Sequence, residues 1–211
     1  MNLDLTDKKI YIEVGANNGV DQSRSLAFMS QEDYVGILIE PHPPTFAQCV
    51  QHRNNGRTIF ANCALVSDDY KESTIGIHTH QSWSLMNCVS DSIMRKESPE
   101  EYSTETFSVP ARTLQSILDE LNITDVEYFF LDVEGYELEV LKGINHKTKI
   151  KKLEIEQHMK SDYNKERNII IEECKKFNLH YEGQCTDQGS TESCPHPKLH
   201  FVNREEKEGA E

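Results

Sequence analysis

The chain has 211 residues and carries 36 acidic against 22 basic side chains, a formal charge of −14. That length suits one hydrophobic core, and 36% apolar with 27% charged residues is a globular balance, not a disordered one. The acidic excess argues against nucleic-acid or anionic-membrane partners, which reward clustered cations. Apolar runs such as 35–39 and 128–131 fall far short of the roughly 18 residues of a membrane span.

No basic stretch followed by an apolar segment opens the sequence, so the expected location is the cytoplasm. Its six cysteines then read as free thiols. No Cys-x-x-Cys pair occurs, and only Cys185 and Cys194 beside His196 suggest a small metal or redox feature.

Apolar runs alternate with helix-period segments, the pattern of an α/β protein with a mostly parallel sheet. A first strand is expected over residues 9–14, stopped by Gly15. Residues 20–31, with the apolar run Leu26-Ala27-Phe28, are expected to form a helix. A buried strand over 35–40 ends at Pro41, a helix follows over 45–53, and a third strand covers 58–61 after the Asn54-Asn55-Gly56 turn. Between about 66 and 112 the rhythm fails. Residues 73–79 and 105–109 look like strands around a polar stretch, and such insertions in compact domains are usually functional. Regularity returns with a helix over 113–121, a strand over 126–131, a helix over 136–142 ended by Gly143, a strand over 150–155 and a helix over 163–177. Two short strands, 179–182 and 199–202, close the pattern. The charged tail from Arg204 to Glu211 reads as disordered, leaving one domain over 1–203.

The turn Glu13-Val14-Gly15-Ala16-Asn17-Asn18-Gly19 is the most informative segment. A buried strand running into such a turn sets backbone N–H groups over a ligand at the sheet's carboxyl edge. The dinucleotide fingerprint needs glycines at its first, third and sixth positions, where this chain has Gly15, Asn17 and Val20. Their side chains obstruct a pyrophosphate, which disfavours a NAD-type oxidoreductase. Glu40 ends the second strand, where a carboxylate accepts hydrogen bonds from a ribose diol. The apolar strand over 126–131 delivers Asp132 and Glu134 to the same edge, where two acids could bind a metal, take a proton or face a cationic ligand. Glu137 reads as a helix N-terminal acid.

Taken together, these segments resemble the FkbM family of S-adenosylmethionine-dependent methyltransferases. The matching pieces are Ile12 to Gly19, Ile39-Glu40-Pro41, Asn62-Cys63-Ala64-Leu65, Pro110-Ala111-Arg112-Thr113-Leu114, and Leu131-Asp132-Val133-Glu134-Gly135-Tyr136-Glu137 with Leu141-Lys142-Gly143. They span roughly residues 8 to 158 in the family's order. The resemblance implies a Rossmann-like class I methyltransferase fold and S-adenosylmethionine as cofactor. It places Glu13, Gly15, Ala16, Asn17, Asn18 and Gly19 at the methionine moiety and Glu40 with Pro41 at the ribose. Cys63 and Ala64 would lie at the adenine, with Asp132 and Glu134 near the sulfonium and the acceptor. Glu13 departs from the aspartate often found there.

The resemblance points to hydroxyl acceptors on sugars or glycans. A hydroxyl benefits from a base within hydrogen-bond reach. Asp132, Glu134, Glu156 and His158 are the candidates, and His158 is preferred because its ordinary pKa lies nearest neutrality. Assistance by a divalent metal on Asp132 with Glu156 stays open, as does a catalytically silent binding domain. The acceptor side is expected over 80–104, with Trp83, His78 and His80 as candidate contacts. The five lysines between Lys142 and Lys152 fall at the opposite, amino edge of the sheet, so a neutral acceptor is expected.

Overall fold

The computed structural model describes residues 5–82, 84–145, 147–158, 163–185 and 197–204. Trp83, Cys194, His196, most of the charged tail and the side chain of Cys185 lie outside the described residues, so the expectations resting on them do too.

A seven-stranded sheet organises the chain. Its strands are β1 (Lys9–Val14), β2 (Tyr34–Ile39), β3 (Thr58–Ala61), β8 (Asp125–Leu131), β9 (Lys149–Glu156), β10 (Leu179–Cys185) and β11 (Lys198–Asn203), numbered with β4 to β7 of the insertion. Their order is β10-β11-β9-β8-β1-β2-β3. Neighbours from β3 through β9 run parallel, and β11 lies antiparallel between β9 and β10. Every residue of β2 and all but the first of β1 are buried, which explains their continuous apolar runs: a parallel strand covered on both faces has no polar side to show.

Parallel register brings the strand ends level. Val14 pairs with Ile39 on one side and with Leu131 on the other, and Leu131 pairs with Ile155. The residues just beyond these strands, Gly15, Glu40 and Asp132, with Glu156 closing β9, therefore share one carboxyl edge.

The helices are α1 (Pro43–Arg53), α2 (Ile93–Glu97), α3 (Leu114–Leu121), α4 (Glu137–Lys142) and α5 (Tyr163–Lys175). Prolines open α1, where a missing N–H costs nothing. The Thr113 hydroxyl caps α3 by accepting from Ser116 N, and Leu114, Ile117 and Leu118 form its buried face. The described cysteines 49, 63, 88 and 174 are free and buried, as expected.

The irregular segment is a small sheet of its own, ordered β4 (Ala64–Leu65), β7 (Tyr102–Arg112), β5 (Thr74–His80) and β6 (Cys88–Val89). Its pairing of β5 with β7 is antiparallel and joins Ile75 to Val109, across far more chain than a hairpin turn. Periodicity within either strand does not reveal it.

The helix expected over 20–31 is replaced by a loop and a single 3₁₀ turn, Leu26–Ser30. The cause is competition for backbone donors. Asn18 Oδ1 accepts from Val20 N and Asp21 N. Buried Glu13 accepts from Arg24 N at 2.7 Å and from the Ser23 and Ser25 hydroxyls at 2.8 and 2.6 Å. Arg53, fully buried at the end of α1, completes the clamp. Its guanidinium donates to Gly19 O, to the Ser23 and Ser25 hydroxyls and to Tyr11 Oη, and stands 3.8 Å from Glu13 Oε2. Removing one partner leaves a buried charge uncompensated. Arg53→Met is therefore expected to lower stability by about 3–5 kcal/mol in urea denaturation, with smaller loss once Glu13→Gln is added.

Candidate active site

A cleft opens at the shared carboxyl edge. Glu13, Gly15, Ala16, Asn17, Pro41, Ala64, Asp132 and Glu134 line it, together with Asp21, Arg24, Glu154 and Glu156. Leu85, Asn87, Cys88 and Val89 of the insertion form its far wall. Most of the residues expected to bind the cofactor are thus brought together. Asn18, Gly19, Glu40, Cys63 and His158 do not line the cleft.

The first turn differs from the expected cradle of free donors. Gly15 N and Ala16 N both donate to Ile39 O, Asn17 N donates to Glu40 Oε2, Asn18 N to Asn17 Oδ1, and Gly19 N to Ala16 O. The turn consequently presents shape, with its donors spent inside the chain. Gly15 and Gly19 have φ of +82° and +79°, conformations that suit glycine. A Cβ on Gly15 would lie 1.7 Å from the Asp132 carbonyl oxygen, and one on Gly19 would lie 2.6 Å from Arg53 Cγ. Close approach of β1 to β8 requires the first glycine, and passage of Arg53 requires the second.

Glu40 is buried and accepts from Asn17 N and His42 N at 2.8 Å each and from the Thr45 hydroxyl at 3.1 Å. Burial raises its carboxyl to about 7, against the pull of those three bonds. A carboxylate offers about four acceptor sites, so capacity remains for a ligand hydroxyl. Asn62 Nδ2 donates to Glu40 O and Pro41 O, fixing the chain just beyond β2.

Asp132 and Glu134 behave differently. Asp132 Oδ1 and Glu134 Oε2 are buried and have no hydrogen-bond partner among the described residues. Burial raises both carboxyls, Glu134 to about 8, while the charge of His158 pulls them down. Glu134 itself sits at φ +55° and is followed by Gly135 at +84°.

His158 departs from its expected role. It is 2% exposed, behind the carboxylates and off the cleft surface. Burial favours its neutral form, but Glu134, Glu137 and Asp132 around it prevail and raise its pKa well above the ordinary value. These acids, not the free imidazole, set its ionisation, so the argument from an ordinary histidine pKa does not hold here. Glu137, expected as a helix-dipole acid at the surface, is 1% exposed and faces the imidazole at 3.3 Å. Arg53 and buried Glu137 were both missed as site-forming residues; nothing in local periodicity separates them from solvated charges.

Among the described residues, one atom each of Asp132, Glu137 and His158 lie within 4.8 Å of one another, whereas the pair considered from sequence was Asp132 with Glu156. Glu137 Oε1 is already engaged by Val133 N, Gly135 N and His158 Nδ1, so an ion-paired histidine accounts for that grouping. His78 is held by Ser103 O and the Ser90 hydroxyl, and His80 packs edge-on against Tyr102, which makes both parts of the insertion's own structure.

The strand order, the antiparallel strand between β9 and β10, and a cleft at the carboxyl edge define a class I methyltransferase fold. The sequence matches the methyltransferase FkbM domain over residues 13–182, and the chain belongs to that family. The fold is similar to that of the methyltransferase FkbM from Methylobacillus flagellatus, with 16% identity and a TM-score of 0.54 over 95% of this chain and 44% of that one. M. capricolum TrmK in complex with S-adenosyl-homocysteine also aligns, with 7% identity and a TM-score of 0.47 over 94% of this chain and 63% of that one. The chain thus spans less than two thirds of either structure. No curated protein matches the sequence.

The cofactor of this family is S-adenosylmethionine, and the residues present fit it. A cationic sulfur suits a pocket holding orphaned carboxylate oxygens, and Glu40 retains acceptor capacity for a hydroxyl. Gly15→Ala is expected to destabilise the protein well beyond Gly56→Ala in thermal or urea unfolding. Gly56 has φ +77° with nothing near its missing Cβ, so that control costs only the left-handed strain of about 1–2 kcal/mol.

Proposed function

We propose that the chain is an S-adenosylmethionine-dependent O-methyltransferase acting on a neutral hydroxyl acceptor, a sugar or glycan, with Asp132 and Glu134 as the proton-accepting pair. The observation that carries this reading is the charge of the cleft. Six acidic side chains line it against the single guanidinium of Arg24, a wall that favours a cation over an anionic acceptor.

When bound, S-adenosylmethionine supplies an electrophilic methyl group on a cationic sulfur. Gly15, Ala16 and Asn17 shape the wall for its methionine end, while Glu13 keeps that wall in place. Glu40 and Pro41 serve the ribose, and Ala64, backed by Cys63, serves the adenine. The insertion's Leu85 to Val89 wall orients the acceptor, and alignment supplies much of the rate in such displacements. Asp132 and Glu134 accept the hydroxyl proton, for which raised carboxyl pKa values suit them better than ordinary ones. Imidazolium His158 balances their charge from behind. Among the described residues no helix is long and apolar enough to cross a membrane.

Calorimetry with S-adenosylhomocysteine is expected to show micromolar binding, and with NAD none; no binding of the former would sink the proposal. Glu40→Ala is expected to weaken that binding by about tenfold or more, through loss of hydroxyl contacts. Asp132→Asn is expected to cut kcat by about 100-fold or more while leaving S-adenosylhomocysteine affinity within a few-fold. Incubation with a glycan panel, followed by product mass and linkage analysis, identifies the acceptor.

Burial holds Glu134 protonated until the pH passes about 8. Its base form therefore accumulates above that value, and kcat/KM of the free enzyme is expected to rise as pH rises through it. Glu134→Gln should flatten that limb. A profile indifferent to the substitution removes Glu134 from the proton-accepting pair.

A further inference from the structure

The geometry points to Glu137 as the positioning residue of the site: it fixes the orientation of His158 and the path of the loop that carries Glu134. This rests on the reading above in so far as Asp132 and Glu134 take the acceptor's proton. Glu137 does not line the cleft and touches neither cofactor nor acceptor, so it acts through other groups.

A glutamate in the first turn of a short helix ordinarily lies in solvent and interacts weakly with the helix dipole. Here its side chain is 1% exposed, a costly position for a carboxylate unless it is fully engaged. One oxygen, Oε1, accepts from Val133 N at 3.2 Å and from Gly135 N at 3.1 Å, and stands 3.3 Å from His158 Nδ1. The first two contacts bracket Glu134. They tie down a turn in which two successive residues have left-handed backbone, one of them not glycine, a conformation that surroundings must enforce. From the other side, the Ser92 hydroxyl donates to Glu134 O, and Ile93 Cγ2 leaves no room for a Cβ on Gly135.

The third contact sets the imidazole. With Nδ1–H directed at Glu137, Nε2 faces Glu134 Oε2 at 3.4 Å, Asp132 Oδ1 at 3.5 Å and Glu156 Oε1 at 3.6 Å. Among the described residues these four acids, from the β8–α4 loop, α4 and β9, are the charged groups facing the ring. Glu156 is shared with Arg24 at 3.7 Å and Lys198 at 3.8 Å. Glu137 thus holds the ring by one nitrogen so that its charge is delivered, through the other, to the proton-accepting pair. A carboxylate orienting a histidine through Nδ1–H is a recurrent device for fixing tautomer and ring direction.

Histidine-labelled protein and nitrogen-detected NMR test this directly. In the unmodified chain His158 is expected to remain doubly protonated through neutral pH. A titration near 6.5, or a neutral form protonated at Nε2, overturns the proposal without any variant. Glu137→Gln keeps an oxygen for Val133 N and Gly135 N but removes the charge. It is expected to lower the His158 pKa by about one unit or more and to reduce kcat by about 10–100-fold. S-adenosylhomocysteine affinity should change less than about twofold, because Glu137 lies outside the cleft. Glu137→Asp, which restores the charge, is expected to recover part of both effects. An unchanged His158 titration in a folded Glu137→Gln variant refutes the coupling. If S-adenosylhomocysteine fails to bind while the His158 response is intact, the methyl-transfer reading falls and the Glu137–His158 coupling stands.

Discussion

The buried contact between Arg53 and Glu13 constrains the cleft from beneath. Glu13 belongs to β1 and Arg53 ends the helix after the second strand, and between them they hold Gly19 O, Arg24 N and the Ser23 and Ser25 hydroxyls. A helix there would need that carbonyl and that N–H for itself. Glu13 holds the backbone N–H of Arg24, whose guanidinium then approaches Glu154 at 3.4 Å and Glu156 at 3.7 Å across the sheet edge. A buried pair, of which only Glu13 reaches the cleft, thereby sets one wall of the pocket. Desolvating both charges is expensive, and the surrounding hydroxyls and carbonyls offset that cost.

Parallel register accumulates acids at one edge, and the structure sorts them by the donors it provides. Glu13 receives a guanidinium and two hydroxyls. Glu40 receives two backbone N–H groups and Thr45, and Glu137 receives two N–H groups and the His158 ring. Glu13 and Glu137 are spent on architecture, while Glu40 keeps spare acceptor capacity. Asp132 and Glu134 receive only the longer-range charge of His158, at distances beyond an ordinary hydrogen bond. Buried acceptors are normally paired, so this shortfall sets Asp132 and Glu134 apart from the acids that the fold has engaged.

The same sorting explains what could be read in the sequence. Strands β1, β2, β3, β8 and β9 were legible because each is an apolar run ended by a glycine, a proline or an acid, and their edge residues followed from the parallel arrangement. The segment 20–31 was not legible, since its apolar run reads as a helix while the groups that unmake the helix sit at positions 13 and 53. Glu137 has the local look of a solvated helix-start acid, and only the docking of His158 from another strand buries it. His158 was chosen as a base on the pKa of a free imidazole, a property that four neighbouring carboxylates replace. In the insertion, loss of rhythm marked its limits, whereas the β5–β7 pairing depends on partners about thirty positions apart.

That pairing also bears on how the site works. Ser92, at the start of α2, donates to the Glu134 carbonyl oxygen, and Ile93 packs where a Cβ on Gly135 would stand. Leu85, Asn87, Cys88 and Val89, just before, line the cleft. The insertion thus touches both the cleft and the Glu134 loop through neighbouring residues. A shift of this small sheet on accommodating an acceptor would be felt at Glu134 through two direct contacts, without a lever through the main sheet. Buried packing transmits such shifts because it has little free volume to absorb them. Glu137 resists from the opposite side by holding Val133 N and Gly135 N. The position of the Glu134 carboxylate is therefore set between Glu137 in the main fold and the insertion that lines the cleft.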